Sequence, residues 1–193
     1  MKSNIKMEKL KEFKKYIVYE KNGKGKEYKL DTNRLIFEGQ YLNRKRNGKG
    51  KEYNYYTKKI LFEGEYKNGK RNGKGIEYNS HTGRIIFEGE FKSGIKWTGK
   101  GYNENNEIEY EIKDGCGFIK EYFNNILIYE GEYLKGKRNG IGKEYNKITG
   151  DLMYEGEFKD GKRNGKGKEY YNGKLKFEVE YLNGKINKII GRK

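Results

Sequence analysis

The sequence predicts an all-β chain: an elongated, twisted antiparallel meander of stacked β-hairpins, of the repeat or solenoid-like kind. Two phased phrases and one periodicity predict it. Aromatic-Glu-Gly-Glu-aromatic occupies residues 62–66, 87–91, 129–133 and 154–158, with variant copies at 37–41, where Gln40 replaces the second Glu, and at 177–181, where Val179 replaces Gly. Phe37, Phe62 and Phe87 stand 25 residues apart, as do Tyr129 and Tyr154. Asn-Gly-x-Gly-x-Glu-Tyr keeps step with it at 22–28, 47–53, 72–78, 139–145 and 164–170. A fixed period of this size marks a repeat array, one supersecondary unit per period. Within the unit, Ile60, Phe62, Gly64 and Tyr66 alternate with Leu61, Glu63 and Glu65, the period of two that belongs to a strand half-buried on one side.

Taken in order, residues 1–15 lie outside the repeat. Ile5, Leu10, Phe13 and Ile17 fall near helical spacing among Lys and Glu, and Ser3 could cap the start. A short N-terminal helix or a tail capping the first repeat is the plainer expectation; a basic amphipathic helix on a membrane surface is the other. Residues 16–193 read as the array, about seven units. In each, 60–66 is a strand, the polar run 67–72 with its Asn-Gly signal is the long turn, 73–78 is the return strand, and 79–83 is a second reversal. Glycine weakens a strand interior, so Gly64 or Gly75 is expected to make room for an aromatic ring from the neighbouring strand lying flat across the backbone. Around 95–122 one unit is degenerate, its turn shortened, and Trp97 sits there. Trp97 is either part of a drifted repeat or an aromatic anchor for a partner.

Composition bounds the rest. With 33% hydrophobic and 37% charged residues and a net charge of +16, the chain resembles a disordered one; its 15% aromatic content, in phase, argues for order. There is no Pro and no Ala, a pattern that AT-rich codon bias would produce with no selection on function, so net charge alone is weak evidence for an acidic partner. The lone Cys116 makes no internal disulfide, no apolar run reaches about 18 residues, and the N-terminus lacks an apolar leader core; a cytoplasmic protein is expected.

Catalysis needs convergent titratable groups in a pocket. His81 falls in a polar loop, Cys116 between two glycines has no His beside it, and Glu63 and Glu65 recur with the repeat, where cross-strand lysines are their natural partners. No Gly-Lys-Ser/Thr follows the glycine phrases, so nucleotide binding is rejected; no cofactor, metal or catalytic residue is expected. What remains is a basic stripe assigned to the long turns: Arg44-Lys45-Arg46, Lys70-Arg71, Lys137-Arg138 and Lys162-Arg163. Two strands per unit would set these clusters about 10 Å apart, close enough to act together on a polyanion. A solvated edge that blocks aggregation is the alternative.

Tyr-Glu-Gly-Glu-Phe at 154–158, followed by Lys-Asp-Gly-Lys-Arg-Asn-Gly-Lys-Gly at 159–167, resembles the MORN (membrane occupation and recognition nexus) repeat, and the resemblance covers roughly 16–187. It implies the stacked-hairpin meander and a non-enzymatic scaffold for protein–protein interaction or assembly, with self-association or cytoskeletal and membrane-associated partners. The alternative it implies is peripheral binding to anionic phospholipid through the basic turns. Nucleic acid is disfavoured, because the aromatics are not interleaved with the basic residues. Departures are the longer stride, Tyr or Phe where the family often has Trp, Val179 in place of a strand glycine, and the short unit near Gly115.

Overall fold

The computed structural model describes residues 15–19, 23–123 and 126–192, with side chains from residue 23 onward. The helix expected within 1–15 falls outside these residues, except that Lys15 opens the first strand and Ile17, counted with the helical pattern, lies in that strand. All regular structure among the described residues is β, in two compact units. The first holds β1 (Lys15–Tyr19), β2 (Lys24–Lys29), β3 (Arg34–Leu42), β4 (Lys45–Tyr53), β5 (Ile60–Lys67), β6 (Lys70–Tyr78) and β7 (Ile85–Lys92). The second holds β8 (Ile95–Tyr102), β9 (Ile108–Lys113), β10 (Cys116–Phe123), β11 (Ile126–Leu134) and β12 (Lys137–Tyr145). It ends with β13 (Leu152–Lys159), β14 (Lys162–Tyr171), β15 (Lys174–Leu182) and β16 (Lys185–Arg192). Inside each unit, strands neighbour one another antiparallel in chain order, the meander the repeat predicts.

The turns correct one expectation. The polar run 67–72 is not a long turn: β5 continues through Lys67, β6 begins at Lys70, and only Asn68-Gly69 reverses the chain. Both have positive φ, 53° and 84°, as a two-residue type I′ hairpin requires. Asn tolerates that region and Gly enters it freely, which is why this pair recurs at reversals. These turns stack. Gly69 N–H donates to the Arg46 carbonyl at 2.9 Å and Gly94 N–H to that of Arg71 at 2.8 Å, so each tip is tied to the hairpin before it. The second reversal is built on an asparagine side chain: Asn79 Oδ1 accepts from the His81 and Thr82 amides, both at 2.9 Å. Asn54 and Asn146 do the same in their units.

Register explains the glycines. Gly39, Gly50, Gly64, Gly75 and Gly89 face one another across β3–β7, and Gly131, Gly142, Gly156 and Gly167 across β11–β14. A Cβ on Gly64 would lie 2.6 Å from the Gly75 Cα and 2.7 Å from Phe62 Cζ; on Gly50 it would lie 2.5 Å from Phe37 Cζ. The rings therefore lie over the glycine row, covering Gly50 and Gly75 from the neighbouring strand as expected, whereas the ring over Gly64 is Phe62 of its own strand, because one ring spans the facing pair of glycines. Phe37, Phe62, Phe87, Tyr129 and Tyr154 are fully buried there, each contributing about 1.5–3 kcal/mol by burial. The rings also interlock between repeats: Phe62 meets Tyr66 at 5.5 Å and Phe91 of the following repeat at 5.0 Å, both edge-on. Such contacts reach only adjacent repeats, so stability accumulates between neighbours.

Candidate functional site

The sheet carries two unlike faces, and the arginines belong to the ring face. Arg71 lies opposite Tyr66 in the register, and its guanidinium carbon sits 4.2 Å from the centre of the Phe62 ring. Its Nη2 donates to Glu52 at 2.6 Å and its Nη1 to Glu77 at 2.8 Å. Arg46 lies 4.0 Å from the Phe37 ring centre, grips Glu27 with Nε and Nη2 at 2.8 Å each, and reaches Glu52 at 2.9 Å. The result is a ladder of alternating charge, Glu27–Arg46–Glu52–Arg71–Glu77. The second unit repeats it as Glu121–Arg138–Glu144–Arg163–Glu169, with separations of 2.6–3.1 Å. Burial opposes the charge of Arg46, but hydrogen bonding and attraction from Glu27 and the charge of Glu52 more than offset it, holding the guanidinium above its ordinary pKa. Burial likewise works against ionised Glu121, yet hydrogen bonds from Arg138 and Tyr133 hold its carboxyl below the ordinary value.

This corrects the placement of four of the nine residues of the basic stripe. Arg46, Arg71, Arg138 and Arg163 are strand residues, their side chains only 17–21% exposed and satisfied by carboxylates, rather than turn residues reaching for a polyanion. Arg44 and Lys45 at one tip, and Lys70, Lys137 and Lys162 beside the others, are exposed. Lys137 lies 3.6 Å from Asp160. Trp97 is half-buried on β8: its Cζ3 is 2.7 Å from where a Cβ on Gly115 would stand, and its carbonyl accepts the Gly115 amide at 2.7 Å. His81 is an exposed loop residue beside Ser80, and Cys116 is half-buried with its thiol 3.6 Å from the Asp114 carbonyl. Among the described residues no group of His, Cys, Asp and Glu is arranged to hold a metal ion.

The opposite face is charged. Glu63 and Glu65 stand on it, with Lys51 Nζ 3.1 Å from Glu63 and Lys26 Nζ 3.8 Å from Glu38, the cross-strand pairing expected from the repeat. Tyr53 donates its hydroxyl to Glu38 at 2.5 Å, as Tyr145 does to Glu130 at 2.6 Å. Between the two charged rows of the first unit runs an open groove of about 790 Å³. Its floor is the backbone of the glycine row from Gly39 to Gly89, and residues of five consecutive strands line it. This groove has no counterpart among the sequence expectations. Its trace was present in the phased copies, where Lys26, Lys51, Lys143 and Lys168 share a position that is Ile76 in the third copy.

Comparison with known protein families places MORN repeats at residues 37–54, 62–81, 129–147 and 154–174. No curated protein matches the chain.

Proposed function

We propose that this MORN-repeat chain is a non-enzymatic scaffold that docks protein partners on the groove face of its sheet. One observation carries the reading: the groove of about 790 Å³ is the concavity that five consecutive strands build together, so its lining repeats with the array. The ring face supports it by contrast. Its aromatics and arginines satisfy one another and present little to a partner. A cytoplasmic setting is part of the same proposal, motivated by the lone free Cys116. The test is affinity purification of the full chain from its native cell, then hydrogen exchange on the reconstituted pair. The reading expects a partner that protects amides of β3–β7; a partner that protects only the turn tips would refute it.

A second reading, peripheral binding to anionic phospholipid, rests on the lysines at the turn tips. Lys45, Lys70, Lys137 and Lys162 are exposed at equivalent positions. Flotation with vesicles containing phosphatidylserine, compared with phosphatidylcholine alone, tests it. Retention that falls with salt and with Lys→Glu changes at these four positions supports it; equal behaviour on both vesicles removes it.

A further inference from the structure

On the groove face a lysine of one strand normally stands between glutamates of the two flanking strands. Lys51 is opposite Glu38 and Glu63, Lys143 opposite Glu130 and Glu155, and Lys168 opposite Glu155 and Glu178. The third copy breaks the rule, with half-buried Ile76 opposite Glu63 and Glu88. Lys51 still serves Glu63 from the other side, whereas no ion pair reaches Glu88 among the described residues. The groove is consequently lined by five glutamates and three lysines, locally acidic in a chain of net charge +16. Beside the uncompensated carboxylate lie an aliphatic side chain and bare glycine backbone, room for a long side chain with an apolar stem and a cationic head.

Resting on the scaffold reading, we propose that this groove takes a lysine- or arginine-bearing segment of a protein partner. One cationic side chain lays its stem along Ile76 and sets its charge between Glu63 and Glu88, the place a lysine holds in the other repeats. Glu38, Glu63 and Glu88 recur on every second strand, about 10 Å apart. An extended partner chain repeats that distance every third residue, since polyproline II advances about 3.1 Å per residue with three residues per turn. At physiological salt the screening length is about 8 Å, so the groove's own charges govern the contact more than the chain's distant lysines do.

The experiment is an NMR titration of the isotopically labelled full chain with the peptide (Lys-Pro-Pro)4, with (Glu-Pro-Pro)4 as control. The lysine peptide is expected to shift the amides of Gly64, Gly75, Ile76 and Glu88. Ile76→Lys should weaken it roughly two- to fivefold, the range of one exposed ion pair, and should fold normally because other repeats carry lysine there. Shifts by the glutamate peptide instead, no groove shifts with the lysine peptide, or unchanged affinity in Ile76→Lys would each overturn the proposal. If any of these occurs while a cellular partner still protects β3–β7 in hydrogen exchange, the scaffold reading stands and only the basic occupant falls.

Discussion

Arg71→Ala should destabilise its repeat by about 3 kcal/mol, while Lys70→Ala, one residue away, should change stability by less than about 0.5 kcal/mol. Arg71 bridges Glu52 and Glu77 in the ladder, at 2.6 and 2.8 Å. Removing one partner of a buried pair costs about 3–5 kcal/mol because the other charge is stranded. All three side chains are 20–22% exposed and Arg46 still holds Glu52 at 2.9 Å, so solvent screening and the remaining partner reduce that to roughly 2–3 kcal/mol. Losing the guanidinium stacked on Phe62 adds about 0.5–1 kcal/mol. Arg71→Lys should recover only part of the loss, since one ammonium cannot span two carboxylates as a planar guanidinium does. Urea unfolding of the full chain, with hydrogen exchange read at β5 and β6, measures it. If Arg71→Ala and Lys70→Ala fall within 0.5 kcal/mol of each other, the ladder contributes nothing and the argument fails. The same contrast bears on function: charge reversal at an arginine would confuse lost binding with lost fold, so any polyanion test must use the lysines alone.

Gly64→Val places a side chain where a Cβ alone meets Gly75 at 2.6 Å and Phe62 at 2.7 Å; a loss of about 3 kcal/mol is expected, with exchange protection falling in β4–β6 and retained in β12–β14. Tyr41 and Tyr66 share a repeat position but differ in their hydroxyls: Tyr41 donates to Glu27 at 2.8 Å, while among the described residues the buried Tyr66 hydroxyl finds no partner in hydrogen-bonding geometry. Thermal unfolding should show Tyr41→Phe costing about 1 kcal/mol and Tyr66→Phe near zero or stabilising, as Phe91 and Phe158 at the same position suggest. The Glu121 carboxyl is held below its ordinary 4.5, so its contribution is present above that pH and lost as pH falls through the lowered value. Burial pushes Tyr154 up to about 12 from 10, so its contribution is full below pH 10 and lost as pH rises toward 12. Stability followed across pH, with phenolate absorbance at the alkaline end, should show both flanks; Glu121→Gln that leaves the acid flank unmoved would refute the first.

The sequence alone determined the strand frame, its two-faced alternation and the covering of glycine by rings, because side-chain period and repeat phase are local properties. Asn68-Gly69 and Asn79 were legible as reversals for the same reason, although the extent of the first was overestimated: a polar run does not reveal that a strand persists through Lys67 and resumes at Lys70. What only the tertiary structure decided is where each charge goes. Lys70 and Arg71 are adjacent in sequence and equally basic, yet alternation sends them to opposite sides, and register decides that Arg71 meets Glu52 and Glu77 while Ile76 falls between Glu63 and Glu88. Pairing across strands depends on bulges such as the shift between Gly64 and Tyr66, which composition does not encode. The groove belongs to the same class, since its floor exists only once five strands lie side by side.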